Sequence, residues 1–203
     1  MQTLFDYLDS GNGYKVRLAL RQLEQPFRWV ELDILQGATR TPEFLARNPN
    51  GRIPTLQLDD GTCLAESNAI LWYLADGTRL LPEERLPRAQ VLQWMFFEQY
   101  SHEPYVATPR FILKHLPADS PRRAELRDRL DRGRAALAVM ETHLKNHAFF
   151  VAGRYTIADI ALYAYTHVAD EARLDLSAYP AVENWLARVA AEARHIAITE
   201  RPD

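Results

Sequence analysis

In this 203-residue chain a proline stands directly before a short β-prone run, in Asn50-Gly51-Arg52-Ile53-Pro54-Thr55-Leu56. As an edge-strand or turn residue Pro54 would only punctuate the chain, and X-Pro bonds are cis in only about 5–6% of cases. A cis bond at this point has a use, because it turns the backbone N–H and C=O of Ile53 outward, where an extended peptide can pair with them. Glu66-Ser67 opens an apolar helical pattern. Ser67 suits a plain N-cap there, but a helix N-terminus with a hydroxyl also receives a carboxylate. Glu66 beside it suits an ammonium group. Carboxylate and ammonium sites on adjacent residues match the α-amino-acid end of a ligand.

The elements that must carry these residues follow from hydropathy and turn signals. Residues 3–7 are β-prone and run into the turn Ser10-Gly11-Asn12-Gly13. Val16, Ala19, Leu20 and Leu23 then trace a helical stripe, which Pro26 ends before a second strand over 27–32. This β-α-β unit implies parallel pairing. Pro42 after Thr41 starts a short helix, and two β-prone runs around Asp60-Gly61 form a hairpin. Ile70, Leu71 and Leu74 continue the helix after Glu66-Ser67. The pattern β-α-β-α-β-β-α predicts an α/β domain with a four-stranded mixed sheet over residues 1–78. Residues 79–87 (RLLPEERLP) read as a linker, and the β signal then vanishes. Apolar spacing over 91–99, from 120 to 144 and from 180 to 189 predicts an all-helical domain over 88–203.

Composition is that of a globular protein, with 47% hydrophobic and 25% charged residues. Lys+Arg 24 against Asp+Glu 27 leaves a net charge of −3 with neither half basic, so nucleic acid is not an expected partner. No stretch approaches the roughly 20 apolar residues of a membrane span. The acidic start (MQTLFDYLDSGNG) does not read as a signal peptide. Together with the single Cys63, this points to a cytoplasmic location without disulfides. Cys63 falls in a strand, away from any helix start that would depress its pKa, and reads as a buried structural residue. His143 and His147 have metal-pair spacing, but no motif supplies a third ligand, so no metal is expected. The charge run 122–134 reads as a solvated helix face.

Taken together, the stretch Asn48–Leu56, then Glu66-Ser67-Asn68-Ala69-Ile70, then Phe150-Val151-Ala152-Gly153 with Thr156-Ile157-Ala158-Asp159 resembles the cytosolic glutathione transferase family. The last motif is similar to the family's capping box, in which Thr156 caps a helix and Asp159 reaches back, a structural role. The resemblance spans the whole chain. It implies a thioredoxin-like, glutathione-binding N-terminal domain, an all-helical C-terminal domain that supplies an electrophile pocket, glutathione as co-substrate, and a homodimer.

Within the family, tyrosine-type members place their catalytic residue where Tyr7 stands, and serine-type members place it in the following turn, at Ser10. Asn12 matches an auxiliary contact of some bacterial members. Ser10-Gly11-Asn12-Gly13-Tyr14-Lys15-Val16 looks most like the bacterial, theta-related, serine-type branch. Cap and catalyst can coexist at Ser10. The resemblance implies glutathione contacts at Ser10, Ile53, Pro54, Glu66 and Ser67, with Arg40 or Arg52 pairing the glycine carboxylate. It places the electrophile pocket at the aromatic and polar cluster that includes Tyr100, Tyr105, Arg110 and Phe111, read as a helix break. The implied reaction is conjugation of the glutathione thiolate to an apolar electrophile. With no cysteine in the turn, disulfide reductase or peroxidase chemistry would need two glutathiones. A non-catalytic binding module is the third reading, which the intact motif set disfavours.

Overall fold

Val16 and Leu20 on one helix, and Ile70 and Leu74 on another, bury Leu4 and Leu56 of two neighbouring strands. Each such side chain contributes roughly 1.5–3 kcal/mol by leaving water. The computed structural model describes residues 1–202. Its first elements are β1 (Gln2–Asp6), α1 (Gly11–Gln22), β2 (Phe27–Glu31), α2 (Pro42–Arg47), β3 (Thr55–Gln57), β4 (Cys63–Ala65) and α3 (Ser67–Ala75). The sheet order is β2-β1-β3-β4. Leu4 pairs with Trp29 across the parallel β1–β2 ladder and with Leu56 across the antiparallel β1–β3 ladder. The Asp60-Gly61 turn closes the β3–β4 hairpin, in which Leu56 faces Leu64. This is the thioredoxin-like arrangement.

Side chains alternate along β1, so Phe5 faces away from Leu4. Its ring packs edge-on against Phe44 of α2 at 6.1 Å, and thus α2 covers the other sheet face. The Thr41 hydroxyl accepts from the Phe44 N–H at 3.3 Å with Pro42 in the first turn, as the sequence predicts.

Residues 79–192 form a second compact unit. It contains α4 (Arg85–Phe97), α5 (Glu103–His115), α6 (Leu126–Leu144), α7 (Ile157–Thr166) and α8 (Pro180–Ala190). Every residue of α7 is buried, the mark of a helix packed on all sides. Thr156 and Asp159 form the expected capping box at its start. The Asp159 carboxylate also accepts from the Phe150 N–H at 3.1 Å and the Trp185 indole at 2.9 Å, which ties α7 to α8 and to the preceding loop. Burial raises its pKa to about 6. Gly133 lets α6 approach α5, since a Cβ there would lie 2.7 Å from the Tyr105 carbonyl oxygen.

Three details differ from the sequence expectation. The helix break expected near residue 100 is a π turn over Glu98–His102, which leads α4 directly into α5. The long helix expected from Ser120-Pro121 starts with a 3-10 turn, Pro121–Glu125, before α6. Residues 193–202, read as part of the helical domain, belong with residues 1–78 in the first compact unit. Backbone carbonyls attach this segment to α1, and such contacts leave no side-chain pattern to read.

The charge run does form a solvated face, with i,i+3 and i,i+4 pairs such as Arg129–Glu125 at 2.7 Å. Exposed pairs of this kind contribute little. The His143 and His147 rings stack at 4.2 Å, and no cluster of metal-ligating side chains occurs among the described residues. No helix of the described residues is long and apolar enough to cross a membrane.

Candidate functional site

Sheet register brings the sequence motifs to one end of the first unit. Phe5 pairs with Thr55, and Thr55 pairs with Ala65. The chain leaving β1 (Tyr7 to Ser10), the loop entering β3 (Arg52 to Pro54) and the start of α3 (Glu66-Ser67) therefore lie at the same end of the sheet.

Ser10 is the N-cap of α1. Its backbone is extended, its hydroxyl oxygen accepts from the Gly13 N–H at 3.3 Å, and its own N–H donates to the Tyr7 carbonyl at 2.8 Å. A hydroxyl that accepts in this way keeps its proton for donation to another group. The first turn of α1 carries no acidic residue, so its positive end is not neutralised from within the helix. Tyr7 is half-buried, and its N–H donates to Asp6 Oδ1 at 2.6 Å.

The Ile53–Pro54 bond is cis. Asn48 holds this loop: its side-chain nitrogen donates to the Arg52 carbonyl at 2.7 Å and to Thr55 Oγ1 at 3.2 Å, while its oxygen accepts from the Asn50 N–H at 3.1 Å. Ile53 lies just outside the β-ladder, which starts at Thr55. Arg40 Nη1 donates to the Asn50 carbonyl at 3.1 Å, and its guanidinium packs against Gly51, whose φ of 62° and missing Cβ permit the approach. The Arg52 side chain is exposed.

At α3 the structure differs from the simple cap. Glu66, not Ser67, occupies the N-cap position, without a side-chain cap hydrogen bond and with φ 67°. A non-glycine residue held in that left-handed region is strained, as residues at binding sites often are. Ser67 is the first helical residue, and its nearly buried hydroxyl is turned toward α1 and donates to Asn12 Oδ1 at 3.1 Å.

Lys15, which the sequence reading passed over, is fully buried and points its Nζ at Ser67 Oγ, 3.4 Å away. A cation thus stands beside the start of α3 and strengthens its attraction for a carboxylate. Asn48 was also missed as the loop's anchor. Asp6 and Arg17 form a further buried pair at 2.9 Å, both fully excluded from water, with desolvation raising the Asp6 pKa to about 6 against the opposing effect of Arg17. Gly13 exists for this carboxylate, because a Cβ there would overlap it. Lys15 and Arg17 flank Val16 and read as solvent-facing in the periodicity. In the structure every residue from Gly13 to Leu20 is buried, which the apolar stripe of the sequence does not signal.

Four other candidates lie in the second unit. Tyr100 is 83% exposed in the π turn. Tyr105 accepts from Arg132 Nη1 at 3.2 Å, under a cation–π contact of 5.4 Å. Arg110 is buried and donates to Glu171 at 3.0 Å, so its charge is already matched. Phe111 packs against His115 at 5.2 Å. Cys63 is half-buried rather than buried on β4, with its thiol 3.7 Å from the Gly61 carbonyl oxygen.

Residues 2–76 match the family model of the glutathione S-transferase N-terminal domain, and residues 93–193 match that of the C-terminal domain. Among solved structures, the glutathione S-transferase from Pseudomonas fluorescens Pf-5 is 52% identical with a TM-score of 0.94, over 98% of this chain and 99% of that one. The disulfide-bond oxidoreductase YfcG of Escherichia coli K12 is 34% identical over 88% of this chain and 85% of its own length. A maleylacetoacetate isomerase of Rhizobium meliloti is 34% identical over 87% and 85%. With residues 2–76 and 93–193 matched to the two family models and a glutathione S-transferase structure identical at about half of its positions, this chain belongs to the glutathione S-transferase family.

Proposed function

We propose that the chain is a serine-type, theta-related glutathione transferase that conjugates glutathione to apolar electrophiles in the cytoplasm, as a homodimer. The observation that carries this reading is that Ser10, Ile53-Pro54 and Glu66-Ser67 lie together at one end of the sheet, the placement that an extended γ-glutamyl tripeptide requires. The γ-glutamyl carboxylate docks on the start of α3 against Ser67, with Lys15 behind it, and the ammonium meets Glu66. Ile53 pairs with the cysteinyl backbone, and Arg40 or Arg52 receives the glycine carboxylate.

The thiol then lies at the start of α1. A hydroxyl is too weak a base to take its proton, which leaves to water. Ser10 donates a hydrogen bond to the resulting thiolate, and Asn12 and the positive helix end add to it. The sulfur attacks the electrophilic carbon, the S–C bond forms, and the leaving group departs with its electron pair. Tyr100, Tyr105 and Phe111 wall the electrophile pocket, and Arg110, held by Glu171, shapes it rather than acting as a free cation.

Similarity to the E. coli disulfide-bond oxidoreductase favours a second reading at the same site. The turn Ser10-Gly11-Asn12-Gly13 has no cysteine. One glutathione thiolate would therefore attack a substrate disulfide, releasing one thiolate and forming a mixed disulfide with glutathione. A second would attack that to release the other thiolate and glutathione disulfide. Retention on immobilised glutathione tests the binding step. Assays with a chloronitrobenzene and with a mixed disulfide then separate conjugation from reduction, and retention with neither activity leaves a binding module.

A further inference from the structure

Arg17 has four hydrogen bonds on three parts of the first unit, and none of them involves a site motif directly. Its Nε donates to Asp6 Oδ2 at 2.9 Å, at the end of β1. Its Nη2 donates to the Leu8 carbonyl at 2.6 Å, inside the turn that carries Tyr7 and Ser10. Its Nη1 donates to the carbonyls of Ile198 and Glu200, both at 3.1 Å. One turn earlier on α1, the Tyr14 hydroxyl donates to the Ile196 carbonyl at 2.7 Å. Ile196 and Ile198 are themselves buried. Ion pairs fasten the flanks of the same segment, Arg194 to Glu24 at 2.6 Å and Arg201 to Glu31 at 2.8 Å.

We propose that the segment 194–201 is a strap that positions the thiolate-stabilising turn, with Arg17 and Tyr14 as the positioning residues that connect the two. This rests on the glutathione reading above and adds a second layer to it. The physical reasoning starts from the guanidinium, a planar cation whose donors point in fixed directions. With the strap seated, two of those donors are satisfied by its carbonyls, which holds the plane so that the others meet Asp6 and Leu8. With the strap displaced, a buried cation loses two partners, a costly state that rotation toward water relieves. That rotation releases the Leu8 carbonyl, and with it the backbone that sets the Ser10 hydroxyl. It also removes the cation from Asp6, whose carboxylate lies against Gly13 in the first turn of α1.

Two full-length variants test the proposal. Tyr14→Phe deletes one hydroxyl and keeps the ring, and Ile196→Ser with Ile198→Ser weakens the strap's burial without touching α1. Each is measured by amide exchange over residues 7–13 and by titration of the thiol of bound glutathione, alongside wild type and Ser10→Ala. We expect exchange in the turn to accelerate by about tenfold or more. We also expect the bound thiol's pKa to rise, by about half a unit to one unit. Faster exchange with an unchanged thiol pKa makes the strap merely structural and overturns the positioning role. An unchanged turn and thiol in both variants overturn it as well, while a depressed wild-type pKa that Ser10→Ala reverses leaves the functional reading intact. A wild type that leaves the thiol at its solution pKa overturns the functional reading and the positioning role together.

Discussion

The Ser67 hydroxyl donates to Asn12 Oδ1 at 3.1 Å and so ties the first turn of α3 to the first turn of α1. Lys15, buried on α1, donates to the same Ser67 oxygen at 3.4 Å, so under the proposed reading the end assigned to the γ-glutamyl carboxylate is linked to the end assigned to the thiol. Ser67→Ala removes a charge-assisted contact worth about 1.5–3 kcal/mol, so glutathione affinity should fall roughly tenfold or more by calorimetric titration. Unchanged affinity would leave Ser67 as a link between helices with no part in binding.

Gly13→Ala has an expected sign opposite to helix propensity. Alanine inside a helix ordinarily gains about 1 kcal/mol over glycine. Here the added Cβ meets the Asp6 carboxylate and forces it away from Arg17. Urea unfolding should show a loss of about 3 kcal/mol, the upper end of overpacking costs. A variant as stable as wild type would mean that the Asp6–Arg17 pair has room to move.

Much of the fold was legible because its elements are marked by side-chain periodicity and turn residues: the stripe Val16-Ala19-Leu20-Leu23, the Asp60-Gly61 hairpin, Thr41-Pro42. Of the candidate site, the cis Ile53–Pro54 bond and the helix start at Glu66-Ser67 were legible from the residues themselves. What stayed hidden depends on backbone groups or on burial supplied by distant segments. Lys15 and Arg17 look solvent-facing until residues 194–201 and α3 cover them. Ser67 reads as a cap because its type suits one, yet the left-handed Glu66 backbone moves the cap back by one residue. The π turn at Glu98–His102 has no side-chain signature to distinguish it from a break.

Asp159→Asn tests the buried capping box and has a defined pH dependence. Burial raises the folded pKa of Asp159 from 3.8 to about 6, so the folded state binds its proton more tightly than the unfolded chain does. The stability this residue contributes is therefore full below about pH 4 and declines as pH rises to about 6. Wild type should exceed the variant most at low pH, and the gap should narrow by up to about 3 kcal/mol across that window and then level off. Denaturant midpoints at a series of pH values check this. A gap that widens with pH would mean that the four hydrogen bonds to the carboxylate outweigh its desolvation.

Tyr7→Phe should bind and ionise glutathione nearly as wild type does, because the turn's backbone bonds, Tyr7 N–H to Asp6 and Ser10 N–H to the Tyr7 carbonyl, do not involve the phenol. Thiolate absorbance of the bound complex near neutral pH is the measurement. A collapse of that signal would assign the chain to the tyrosine type.

The most direct measurement is the spectrophotometric titration of the glutathione thiol bound to wild type and to Ser10→Ala. A free thiol has a pKa near about 8.5, and lowering it by about two units takes roughly 2.7 kcal/mol of preferential thiolate stabilisation. The account predicts a depressed pKa in the wild type and a rise of about one to two units in Ser10→Ala. Affinity should be little changed and conjugation roughly 10–100-fold slower near neutral pH, recovering at high pH. A bound thiol that titrates identically in both proteins would contradict the assignment of Ser10 as the residue that stabilises the thiolate.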